Sequence, residues 1–143
     1  MYEPIRTQSV HTMAAQRCGM RGLHRSREEE LDIRLAWHLT ALLTLTDELR
    51  ALSPSPALDA AADRLADRIT HMRGHAPLRA TPSTPTADHS TPARITALHQ
   101  RAHQLAGQAL VVATTAGDTA GEALAAERLS AHAAALGIPG AGH

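Results

Sequence analysis

The feature that most constrains this chain is a line of leucines. Leu31, Leu35, His38, Leu42, Leu45, Leu49 and Leu52 follow one another at alternating spacings of four and three. That spacing keeps to one face of an α-helix, whereas a β-strand, with its period of two, would scatter the same residues over both faces. The step recurs in Leu58, Ala62, Leu65, Ile69 and Met72, in Ile95, Leu98, Ala102, Leu105, Ala109 and Val112, and in Ala125, Leu129, His132 and Leu136. A helix with one apolar stripe has to bury it against a neighbour. Four such stripes in 143 residues therefore predict an all-α protein, a four-helix bundle with a modest core. Composition agrees: the aromatics are limited to Tyr2 and Trp37, so Leu, Ala, Ile, Val and Met must fill the core, and Ala and Leu favour helix over strand.

Punctuation marks the elements. Ser26 and Glu29 make a capping-box pattern, and Glu28, Glu29 and Glu30 suit the positive end of a helix dipole. Ser53-Pro54-Ser55-Pro56 ends the first helix and opens the second, with Ser55 as cap and Pro56 in its first turn. Gly74 and Pro77 close the second helix, Thr91-Pro92 opens the third, and Gly117 ends it. Thr119 and Glu122 repeat the capping-box pattern, and Gly137 and Pro139 stop the fourth helix. The expected organisation is a hairpin over 28–73, a solvated Pro/Thr-rich linker over 74–91, a hairpin over 92–137 and a flexible tail over 138–143. Residues 1–25, without periodicity and with Pro4, Gly19 and Gly22, are expected to form a basic, irregular arm. The linker is long enough to cross the bundle, so sequence leaves the helix order open. Ala62-Asp63-Arg64-Leu65 returns as Ala126-Glu127-Arg128-Leu129, a weak hint of duplication.

Function is less legible than architecture. All fourteen basic residues are arginine, and Lys, Asn and Phe are missing, which suggests a GC-rich bacterial genome. The single Cys18 excludes a disulfide framework or a cysteine metal cage. No apolar run reaches the roughly 20 residues of a membrane span and no secretory signal pattern opens the chain, so a cytoplasmic location is expected. No phosphate loop, nucleophile elbow, paired functional carboxylates or cofactor motif appears, and the expectation is a non-catalytic protein with no cofactor.

The candidate site residues fall into four groups. Ile33 and Trp37 face away from the first seam, while Leu39 and Leu43 widen its apolar surface; together they are read as a surface for a protein partner or a second copy. His38 and His132 interrupt their seams and are candidates for a buried polar layer or a pH switch. His99 and His103, four apart, are weak metal candidates, set outside the third seam and lacking the glutamate of an HExxH arrangement. Arg17, Arg21, Arg25 and Arg27 offer a basic cluster for nucleic acid, with almost no aromatic stacking to support it. Protein association is thus the leading expectation, a histidine-based metal- or pH-responsive bundle the second, and accessory nucleic-acid binding the third.

Overall fold

A computed structural model describes the backbone of residues 3–79 and 91–139 and the side chains of residues 26–79 and 91–139. It is built from four helices, α1 (Glu3–Leu52), α2 (Pro56–Arg73), α3 (Thr91–Ala116) and α4 (Thr119–Leu136). No strand occurs among the described residues, and no helix there is long and apolar enough to cross a membrane.

The caps explain where the helices break. The Ser55 hydroxyl accepts from the Leu58 N–H at 3.1 Å, and Pro56 follows in the first turn, where its missing N–H costs nothing. Gly74, Gly117 and Gly137 end α2, α3 and α4 with φ of 80°, 71° and 73°, a left-handed turn that a Cβ would strain. At α4 the expected capping box is not used. Asp118 is the cap, its carboxylate accepting from the Gly121 N–H at 2.9 Å, while Glu122 accepts instead from the Thr114 hydroxyl at 2.8 Å.

The expected irregular arm over residues 1–25 is corrected: α1 is helical from Glu3. Pro4 stands in the first turn, which tolerates it, and Gly19 and Gly22 cost only about 1 kcal/mol each relative to alanine. The residues between are mostly good helix formers. Once the packed segment from Leu31 onward exists, extending it backward requires propagation and no new nucleus. Ser26 accordingly lies within the helix rather than at its start.

The helices form a ring in the order α1–α2–α4–α3. α1 packs against both α2 and α3, α3 packs against α4, and α4 leans only lightly on α2. Arg94 near the start of α3 pairs with Glu48 near the end of α1, while Thr115 and Ala116 lie beside Arg27 and Asp32. α3 therefore runs antiparallel to α1. The pairs Arg64–Glu127 and Arg68–Asp118 set α4 antiparallel to α2 in the same way. Every neighbour in the ring is antiparallel, and the connection from α2 to α3 has to travel the length of the bundle. Its first residues are anchored rather than free: the Arg79 guanidinium donates to both oxygens of the buried Asp47, at 3.0 and 2.7 Å. That corrects the expectation of a wholly solvated linker over 74–91; residues 80–90 lie outside the described residues, as do 140–143 of the tail.

Leu35, Leu39, Leu42, Leu43 and Leu49 of α1 are fully enclosed with Leu65 and Ile69 of α2, while α3 and α4 contribute mainly alanine, at 102, 106, 109, 113, 125 and 133. Most of the seam residues expected to be core are buried, while Leu31, Leu52, Leu58, Met72, Ile95, Leu105 and Leu129 are only partly buried against the core, and the apolar face of α1 is wider than one seam because it touches two neighbours. Leu39 and Leu43, read from sequence as part of an association surface, belong to this core.

Candidate functional site

α3 also packs on two sides, and this brings together histidines that the sequence kept apart. Leu98, Leu105 and Val112 repeat every seven residues on one flank, and Val112 lies beside Leu31 of α1. His99, Ala106 and Ala113 repeat every seven residues on the next flank, and His99 meets α4. The large residues mark the first flank and the small ones the second. A reading based on one seam sees only the first, and places His99 in solvent.

On α4 the buried line runs Gly121, Ala125, Arg128 and His132, close to the axis facing α3. His132 is 1% exposed and Arg128 4%. The two Nδ1 atoms of His99 and His132 lie 2.9 Å apart, with ring centroids at 5.2 Å. On the other side of His132, Nη2 of Arg128 stands 3.4 Å from Nε2. Arg128 Nη1 donates to Glu127 Oε2 at 3.0 Å, and Glu127 Oε1 accepts from Arg64 of α2 at 2.8 Å.

The direction of the protons follows from the chemistry of the partners. A guanidinium only donates, so Nε2 of His132 accepts and its single proton sits on Nδ1. His132 then donates to Nδ1 of His99, whose own proton sits on Nε2. The arrangement is a directed chain from Arg128 through His132 to His99, spanning α4 and α3. The 3.4 Å contact is long for a hydrogen bond, and Arg128 acts on the ring chiefly through its charge. Both imidazoles are held neutral. Burial, reinforced by the neighbouring Arg128 charge and by His99 and His103, pushes His132 down to about 3. Burial, with the same arginine, also lowers His99. Burial lowers Arg128 as well, against the opposing pull of Glu127, and its Nε is buried without a hydrogen-bond partner.

A metal ion fits this chain poorly. Binding at Nδ1 of His132 would move the proton to Nε2 and point it at an arginine donor. Among the described residues no three of His, Cys, Asp or Glu are grouped to hold a metal. His99 spends its Nδ1 on His132 and not on a site shared with His103, which corrects the expectation that both face outward.

The remaining candidates separate. His38 is buried but has no place in the chain: its Nδ1–H donates to the Arg34 carbonyl at 2.8 Å and its ring meets Trp37 edge-on at 5.7 Å. His38 and His132 therefore do not form one polar layer. Ile33 and Trp37 lie on the outer side of α1, 65% and 66% exposed. Of the four arginines proposed for nucleic acid, only Arg27 has a described side chain, and it is exposed; those of Arg17, Arg21 and Arg25 lie outside the described residues, as does that of Cys18. Arg128 is a member of the site that the hydrophobic pattern does not announce. The signal available for it was its spacing of four from His132 and the small residues Gly121 and Ala125 that continue the same line. No family model matches the chain, and no curated protein or solved structure matches it either.

Proposed function

We propose that the protein acts without catalysis, by association with another protein or a second copy of itself through the outer face of α1. One observation supports this reading. Ile33 and Trp37, one turn apart, are about two-thirds exposed on a helix whose opposite face is already filled by its own core. Single exposed apolar residues are ordinary, but the chain's one tryptophan beside an isoleucine is an anchor of the kind that dominates interfaces. The edge contact with the His38 ring, itself tied to the Arg34 carbonyl, holds the indole in place and reduces the entropy lost on binding. Val111 of α3, 65% exposed, adds a further apolar residue on the outside of the bundle.

Sedimentation tests the self-association form. Wild type is expected to sediment above monomer mass at tens of micromolar, and Trp37→Glu to sediment as a monomer with unchanged helicity. A wild-type monomer throughout that range overturns self-association and leaves a foreign partner, to be sought by cross-linking from position 37.

A further inference from the structure

We propose that the Arg128–His132–His99 chain is a latch that holds α4 in the bundle at neutral pH and releases it, ahead of the other helices, on acidification.

The first support is how little else holds α4. Its completely buried apolar side chains are alanines, Ala125 and Ala133, and its larger ones, Leu124, Leu129 and Leu136, are only partly covered. α1 and α2, by contrast, enclose five leucines and a Leu–Ile pair. Apolar stabilisation scales with the area removed from water, so α4 gains the least of the elements compared. Its contact with α2 is light and rests on the solvent-facing Arg64–Glu127 pair and on Arg68–Asp118. α4 is therefore held mainly on α3, through closely packed but small side chains and, at its middle, through the polar chain.

The second support is what that chain does when a proton arrives. The charged and titratable groups around His132 are Arg128 and Glu127 on α4, His99 and His103 on α3, and Arg64 reaching Glu127 from α2. The one acid among them, Glu127, is already shared by two arginines. A protonated His132 would turn an N–H toward the Arg128 N–H at 3.4 Å and set two cations side by side in a buried seam. A proton on Nδ1 of His99 would confront the Nδ1–H of His132 in the same way. Among the described residues around His132, the only carboxylate, Glu127, is already paired with two arginines and is not free to absorb either charge. Opening the α3–α4 seam hydrates both rings; it uncovers Leu35 where Gly121 lies on it but leaves the packing of α1 on α2 in place. Below the ordinary histidine pKa the open form binds more protons than the closed one, so acid favours it. The burial that lowers both imidazoles has the same sign.

Amide hydrogen exchange on the full chain, at pH 7.5 and pH 5 and corrected for the intrinsic pH dependence of exchange, tests this. Protection within residues 121–136 is expected to fall by up to about tenfold per pH unit below 6.5 for each proton taken up. Protection within 35–49 and 61–69 should fall less. His132→Gln keeps an acceptor for Arg128 and a donor for His99 but does not titrate, and it should remove at least half of the α4 response. His103→Gln, on the same wall but outside the chain, should leave it intact. If α4 loses protection only in step with α1 and α2, the latch is overturned by wild type alone, whatever the variants do. It is also overturned if His132→Gln responds to acid as fully as wild type.

Discussion

The Nδ1 atoms of His99 and His132 stand 2.9 Å apart across the seam between α3 and α4, and this contact makes the fold sensitive to acid. Burial and the Arg128 charge hold His132 at about 3 and keep His99 below its ordinary value. In the unfolded chain both return to about 6.5. Below that pH the unfolded state binds more protons, so stability is complete above about pH 7 and declines as pH falls below 6.5, for His132 until about 3. The slope reaches about 1.4 kcal/mol per pH unit for each proton taken up. Urea denaturation at pH 7.5 and 5 should show this loss in wild type and little of it in the His99→Gln/His132→Gln double variant. Equal losses in the two proteins would show that these imidazoles are not buried neutral groups.

Arg128 supplies the second-largest push on His132, after burial. Arg128→Met removes the charge at similar volume and should bring His132 back up toward, but not to, its ordinary value. The cost in stability should be small, within about 2 kcal/mol: a buried charge is removed, while one imidazole acceptor loses its donor. Proton NMR titration of the His132 ring measures the shift. A ring that titrates as in wild type would mean that the arginine does not act on it.

Gly121 marks a close approach. A Cβ there would lie 2.7 Å from Oδ2 of Asp118 and 3.1 Å from Cδ2 of Leu35. The carboxylate cannot simply swing aside, because Arg68 holds both its oxygens at 2.8 Å and the Gly121 N–H holds one at 2.9 Å. Gly121→Ala gains about 1 kcal/mol of helix propensity but loses about 1–3 kcal/mol through overpacking and a further ~1 through the damaged cap. Its Tm should fall by several degrees. A rise in Tm would show that α4 packs less closely on α1 than described.

The fold was legible wherever one face of a helix carried large apolar residues. The leucines from 31 to 52 and the Leu65–Ile69 line specify α1 and α2, and Ser55 and Gly74 specify their junctions. Legibility failed where small residues did the packing. The α4-facing flank of α3 is marked by alanines at 106 and 113, which also occur throughout the exposed surface, so nothing in the pattern announced that His99 shares it. Arg128 escaped for the same reason, since arginine is ordinarily a surface residue and only the ring of four helices encloses it. The outer face of α1 is half legible: Ile33 and Trp37 lie outside as the spacing predicts, but Leu39 and Leu43 are buried in the core. At the N-terminus the sequence lacks the periodicity that announces a packed helix, but propensity and propagation are enough to extend α1 back to Glu3.

Asp47 fixes the path of the chain after α2. Burial alone would raise its carboxyl, but hydrogen bonds from Arg79 and Arg50 outweigh that and hold it below the usual carboxylate range. Arg50 in turn donates to Asp59 at 2.8 Å, so one network joins α1, the start of α2 and the returning segment. Arg79 is the member with no helix of its own. Its guanidinium is held by Asp47 through two bonds along one edge, and trypsin, which must draw an arginine into its specificity pocket, has to break both bonds to cut after residue 79. Asp47→Ala should therefore speed cleavage after Arg79 severalfold under native conditions, while cleavage after Arg73, outside the network, changes little. Lowering the pH through the depressed carboxyl range should weaken the same anchor in wild type, because protonating Asp47 removes the charge that both arginines engage. Mass spectrometry of a tryptic time course reads the two sites separately. Equal rates after Arg79 in wild type and Asp47→Ala would mean that the segment leaves the bundle freely and that the carboxylate does not govern it.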